Sequence, residues 1–292
     1  MLAPQASTRI ALNNILFATD FSKVSNAALP FVLALAEQYS AKIFVVNAVG
    51  PEPYLSMPLE PIPMGADLFW NDAQRRLTDF VAATAFDGIA HQEVLRRGGL
   101  WEVVSRIMHE ERIDLIVMGT HGRHGLTKLV LGSEAEKVYR QAICPVLTVG
   151  PEVPAPAGTD WKLKRILFPT DLSTTSENAL HYAVSLAQDN EATLTLFHTI
   201  PMVPWQQKES VERSTREQMK AMLPREAHCR VEFRVGFEFL ADGILRFTEE
   251  QRADLIVMGV AKPAAAAWTA HMGSAASEVI SEAPCPVLTV RG

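Results

Sequence analysis

The feature that most constrains this chain is an internal repeat. Residues 15–22 read ILFATDFS and residues 166–173 read ILFPTDLS. DLIVMG stands at 114–119 and again at 254–259, and CPVLTV at 144–149 and again at 285–290. The three pairs keep their order at separations of 151, 140 and 141 residues, so the second copy is about ten residues shorter, mostly in its middle. Matched blocks in one order define a tandem duplication. The reading divides the 292 residues into copy one over 9–150, a linker over 151–161 within the Pro- and Ala-rich stretch Gly150–Trp161, and copy two over 162–292. Each copy is long enough to bury its own core.

Within a copy, short apolar runs alternate with helical patterns. Copy one offers strands over Ile15–Ala18, Ile43–Val49, His91–Leu95, Leu115–Met118 and Val146–Val149. Between them Ser22–Tyr39, Asp67–Phe86, Leu100–Glu111 and Ser133–Ala142 carry apolar residues at spacings of three and four, which predicts helices. Copy two repeats the scheme with Ile166–Phe168, Thr193–His198, Arg230–Val235, Leu255–Met258 and Val287–Val290. A run such as LIVM is apolar on consecutive residues, as a strand covered on both faces requires. Strand–helix alternation then predicts two doubly wound α/β domains, an architecture that hosts many chemistries and fixes none.

Charge and apolar content narrow the function. The formal net charge is −6, with Lys and Arg scattered among Asp and Glu, which argues against a broad nucleic-acid or membrane surface but leaves room for a local phosphate site. The longest apolar run, Ala27–Ala36, has ten residues and contains Pro30, well short of the roughly 20 that span a bilayer. The opening MLAPQASTRIALNN lacks a basic region followed by an apolar one, so a cytoplasmic protein is expected. Cys144, Cys229 and Cys285 are too few for a disulfide framework or a Cys-rich zinc site.

In open parallel sheets ligands bind beyond the carboxyl ends of the strands, at the switch in strand order. Thr19-Asp20 and Thr170-Asp171 fall there, after the first strand of each copy. Asp20 could accept hydrogen bonds from a ribose hydroxyl or an adenine amine, or Asp20 and Ser22 could simply cap the next helix. After DLIVM comes Gly119-Thr-His-Gly122-Arg-His-Gly-Leu-Thr-Lys-Leu-Val-Leu-Gly132-Ser133-Glu-Ala-Glu136. Glycines at 119, 122 and 132 allow positive φ and a close approach of backbone N–H groups to a ligand. Gly132-Ser133 opens a helix, whose free N–H groups and positive dipole end suit phosphate. Ser133-x-x-Glu136 also reads as a capping box, which would give Ser133 a second employment. His121 and His124 lack a neighbouring Cys or carboxylate to complete a metal site and read as loop residues. Cys144 and Cys285, at matching positions, read as small buried packers. Gly50–Gly65, rich in Pro, is long for a strand-to-helix loop and reads as a lid or a surface loop.

The pattern G-x2-G-x9-G-[S/T] after a DLIVM strand and before a CPVL strand, with ILFxTDxS at the start, resembles the universal stress protein family, once per copy and over nearly the whole chain. The resemblance implies a five-stranded parallel sheet flanked by helices in each copy, a Rossmann-like or flavodoxin-like adenine-nucleotide-binding fold. It further implies ATP, with or without Mg2+, where the loop is intact. Carried over by position, Ala18, Thr19 and Asp20 would lie against the adenosine and Ala48 would contact adenine through its backbone. Met118 and Gly119 would lie under ribose and phosphates, and His121, Gly122, Arg123, Gly132, Ser133 and Glu134 would line the triphosphate. Ala18 stands where the family often has Pro, which copy two keeps as Pro169. Copy two departs further: Lys262-Pro263 replaces the second glycine and the spacer to Gly273-Ser274 is one residue longer. A lysine followed by proline does not reproduce a glycine turn, so a degenerate, nucleotide-free second copy is expected, although Lys262 could bind phosphate as a point charge.

These readings lead to an ATP-binding stress-response regulator or sensor rather than a metabolic enzyme. No H-I-G-H, S-G-G-x-D-S, Walker A or G-x-S-x-G pattern is present. A nucleotide-free adaptor and a slow, self-phosphorylating ATPase remain as alternatives. The resemblance also predicts that the two last strands pair within one chain, as an internal pseudo-dimer, with a homodimer of whole chains left open.

Overall fold

The computed structural model describes residues 10–50, 64–84, 86, 88–120, 131–156, 158–260 and 269–292. In copy one the strands are β1 Asn14–Ala18, β2 Lys42–Val49, β3 His91–Arg97, β4 Leu115–Gly119 and β5 Val146–Val149. Their helices are α1 Lys23–Asn26, α2 Leu29–Tyr39, α3 Met64–Ala83, α4 Leu100–Glu110 and α5 Ser133–Gln141. Copy two gives β6 Arg165–Pro169, α6 Glu177–Asp189, β7 Thr193–Thr199, α7 Lys208–Met222, β8 Arg230–Gly236, α8 Leu240–Gln251, β9 Leu255–Val260, α9 Thr269–Glu282 and β10 Val287–Arg291. The expected strands are all present, most extended by a residue or two.

The helix predicted over Ser22–Tyr39 is instead two helices. Pro30 sits in the first turn of α2 and has no N–H to donate backwards, so the chain breaks at Ala27-Ala28 and restarts with Ala28 as N-cap. Ser22 caps α1 by accepting from the Ser25 N–H.

All the strands join one sheet, in the order β3-β2-β1-β4-β5-β10-β9-β6-β7-β8. Each half runs parallel throughout, and only the central β5–β10 pair is antiparallel, with Leu147 opposite Leu288. Thr148 and Thr289 flank that pair symmetrically: the Thr148 hydroxyl donates to the Val287 carbonyl at 3.1 Å and the Thr289 hydroxyl to the Val146 carbonyl at 3.2 Å. One face is covered by α2, α3, α6 and α7 over a core that includes Phe31, Leu77, Leu147, Ala183, Met219 and Leu288. The other is covered by α4, α5, α8 and α9 over Val103, Val138, Ile244, Val279 and their neighbours. Both cores run through both copies.

The linker is part of this packing. Val153 is buried, and Trp161 meets the Phe31 ring edge-on at 4.9 Å between centroids.

Candidate nucleotide site

Within copy one the strand order is 3-2-1-4-5, so the switch lies between β1 and β4. Ala18 sits beside Val46 of β2 and Met118 of β4, which brings the carboxyl ends of these strands to one edge. Ala18, Thr19 and Met118 are buried there and Ala48 is half-buried at the end of β2.

The turn after β1 is built by its own side chains. The Thr19 hydroxyl accepts from the Phe21 N–H at 2.9 Å, and Asp20 Oδ1 accepts from the Ser22 N–H at 3.0 Å. Copy two repeats both bonds, Thr170 from Leu172 at 3.0 Å and Asp171 from Ser173 at 2.9 Å. Together they hold Phe21 and Leu172 at φ 64 in each copy, a left-handed conformation that costs a side-chain-bearing residue about 1–2 kcal/mol. Ser22 therefore does the capping work that the sequence offered as the plainer alternative, and Asp20 braces the turn in front of it.

Motif reading missed Asn47. It is 6% exposed, and its Nδ2 donates to the Thr19 carbonyl at 2.7 Å. His198 takes the same place in copy two, its Nδ1 2.7 Å from the Thr170 carbonyl. A carbonyl only accepts, so His198 carries its proton on Nδ1. The available signal was a polar residue at the matching position of the two second strands, directly after an apolar pair in each, Val45-Val46 and Leu196-Phe197.

Neither Gly119 nor Gly132 has positive φ. Gly119 is required by packing: a Cβ there would meet the Val24 carbonyl oxygen at 2.9 Å and Ser25 Cα at 3.0 Å, both backbone atoms of α1. Gly132 donates its N–H to the Thr120 carbonyl at 3.0 Å and is itself the N-cap of α5.

The capping box is corrected for the same reason. Ser133 is the first residue inside the helix, where its hydroxyl cannot reach forward as an N-cap does. Glu136 pairs with Arg140 at 2.9 Å instead. The Glu134 carboxylate lies 2.7 Å from Lys137 Nζ and accepts the Trp101 N–H at 3.4 Å, tying the first turn of α5 to that of α4. The result is a helix start that no side chain among the described residues caps, with Ser133 exposed beside it. His121, Gly122, Arg123 and His124 lie outside the described residues.

Copy two lacks this helix start. α9 begins at Thr269, so Gly273-Ser274 lies inside the helix rather than at its opening. Lys262 and Pro263 lie outside the described residues, as do 51–63 of the long loop in copy one. Burial pushes the thiols of Cys144 and Cys285 up to about 12, which fits packing residues that stay protonated. Among the described residues no three His, Cys, Asp or Glu gather as a metal site.

Fold and site define a class: a tandem doubly wound α/β protein whose first copy opens a helix at Gly132-Ser133 beside its switch point. The model of the universal stress protein family matches it twice, over residues 12–150 and 162–291. Copy-length relatives include a universal stress protein of Methanocaldococcus jannaschii, 32% identical over 137 residues, covering 46% of this chain and 80% of that one. Another, from Thermus aquaticus, is 33% identical over 142 residues, covering 46% and 96%. A solved universal stress protein of Archaeoglobus fulgidus superposes at TM-score 0.72 over 97% of this chain and 99% of that one, at 23% identity, a likeness of fold. The chain belongs to the universal stress protein family.

Proposed function

We propose that this chain is a cytoplasmic stress-response regulator that binds one ATP, in copy one, and hydrolyses it slowly or not at all. The observation that carries the proposal is the start of α5. With Gly132 as N-cap and no side chain among the described residues capping the first turn, its N–H groups and positive dipole end suit an anion. The buried β1 and β4 ends supply the floor on which a nucleoside would lie. Within copy two, Gly273-Ser274 in mid-helix argues for a single equivalent per chain.

Little turnover follows from how the nearby carboxylates are engaged. Fast hydrolysis needs a base that positions water. Glu134 is held by Lys137 and the Trp101 N–H, Glu136 by Arg140, and Asp20 by the turn after β1. No helix among the described residues is long and apolar enough to cross a membrane.

The test is calorimetric stoichiometry with ATP alongside thermal shift and phosphate release. The expected result is one equivalent, a clear rise in Tm and negligible release, with binding lost in Gly122→Lys. A ligand at about 100 times its Kd stabilises the native state by about 2.7 kcal/mol, so the shift is easily read. Two equivalents, an unaffected Gly122→Lys variant, or turnover of about 1 per second would overturn the proposal, the last being an ordinary enzymatic rate.

A further inference from the structure

The carboxyl edge of copy two carries an exposed apolar surface. Three large apolar side chains are strongly exposed there: Met202 at 86%, Trp205 at 80% and Phe239 at 65%. Met202 and Phe239, with Pro201, Phe237 and Leu245, line an open groove of about 620 Å³ between the segment after β7 and one face of α8. Trp205 continues this surface, since Lys208 Nζ lies over both rings, 5.5 Å from Trp205 and 4.7 Å from Phe237. Soluble proteins rarely leave several large apolar groups exposed together without a use for them.

The internal repeat supplies a control. At the positions of Phe237, Phe239 and Leu245, copy one has Arg97, Gly99 and Ser105. The fold builds the same β–α corner there from polar and small residues, so the apolar character is not a requirement of the architecture.

The rim decides the occupant. Four carboxylates, Glu238, Asp242, Glu249 and Glu282, surround the groove, against Arg246 in its lining and Lys208 over the Phe237 and Trp205 rings. Arg246 is occupied by Glu238 and Glu250, while Asp242, Glu249 and Glu282 form no ion pair among the described residues. An apolar floor with unpaired carboxylates around it repels an anionic membrane and suits a polypeptide with apolar and basic side chains on one face.

We propose that this groove docks a short amphipathic segment of a partner protein, two or three apolar side chains seated against Met202, Phe237 and Phe239 and its Lys or Arg residues facing Asp242, Glu249 and Glu282. The site lies in copy two and is independent of nucleotide in copy one. Trp205 and Phe239 are the expected anchors, since exposed aromatics dominate such interfaces.

The test uses the full chain and a fluorescein-labelled amphipathic peptide of leucine and lysine, about twelve residues and so roughly three helical turns. The same peptide with glutamate for lysine serves as its counterpart. The lysine peptide should bind and the glutamate peptide should not. Trp205→Ala with Phe239→Ser, and separately Asp242→Lys with Glu249→Lys, should each weaken binding about tenfold or more, as loss of hot-spot anchors does. Glu102→Lys with Glu110→Lys, on the matching helix of copy one, makes the same charge change and should leave affinity within about twofold, as additive distant charges do. Equal binding of both peptides, or affinity insensitive to the copy-two changes, would overturn the proposal. So would a dimer in sedimentation that Trp205→Ala with Phe239→Ser dissolves, which would reassign the face to self-association.

Discussion

Asn47 and His198 hold the carbonyl of the residue that begins the same turn in the two copies. The turn keeps Phe21 and Leu172 at positive φ, so it must be held from outside as well as by its own Thr and Asp. Asn47→Ala removes the donor from a buried carbonyl and should cost about 1–3 kcal/mol in urea unfolding. Asn47→His should recover most of that loss, because copy two already uses the pair. A histidine variant as unstable as the alanine one would mean that the contact is incidental. Asp171 makes a second prediction. Burial raises its pKa, but hydrogen bonds from the Ser173 hydroxyl and N–H and the Ser176 hydroxyl outweigh this and hold it below the usual carboxylate value. A carboxyl with a depressed folded pKa contributes stability that is present above its unfolded value, about 3.9, and is lost as pH falls through the folded one. Urea midpoints between roughly pH 4 and pH 2 should therefore fall more steeply for the parent than for Asp171→Asn. Parallel curves would show that the carboxyl is not coupled to folding.

Among the elements, α5 separates a structural from a functional role for one side chain. If Ser133 capped its helix, Ser133→Ala would cost about 1 kcal/mol of stability. Because Gly132 is the N-cap and Ser133 lies inside the first turn, the substitution should cost less than ~0.5 kcal/mol, as at an ordinary surface position. ATP affinity should nonetheless fall about fivefold, the loss of roughly one hydrogen bond. Denaturation and calorimetry on the same preparation give both numbers. Unchanged affinity would remove Ser133 from the site.

The break between α1 and α2 serves the same corner. It lets the short α1 approach β4 so closely that residue 119 has no room for a Cβ. Glycine was legible at 119, but its reason was not: the letter suggested backbone freedom and the structure shows backbone contact.

Over the whole molecule, the two copies share both cores as well as the β5–β10 pair. Side chains also bridge them on either side of the sheet: Tyr39 donates to Asp189 at 3.0 Å, and Tyr139 and Ser277 share a 2.8 Å hydrogen bond. The linker adds Trp161 against Phe31 without being the sole attachment. A protease site placed in the linker should, once cut, leave halves that run together on a sizing column at micromolar concentration. Halves that separate would show that the covalent tether maintains the pairing.

Much of the architecture was legible because its signals are local. LIVM-type runs mark strands covered on both faces, three- and four-residue spacings mark helices, and repetition of three blocks marks the duplication. The family pattern likewise lies within a few contiguous stretches. Other features depend on residues distant in the chain. Asn47 matters through Thr19, 28 residues away, Glu134 through Trp101, 33 residues away, and Gly119 through the backbone of Val24 and Ser25. The register of α9 places Gly273-Ser274 in mid-helix although the letters match Gly132-Ser133. Sequence alone determined the repeat, the α/β class and where a nucleotide loop could stand. Only the tertiary structure decided which polar groups are already engaged and which residue stands at the N-cap of α5, because hydrogen bonding and steric contact depend on distance in space rather than along the chain.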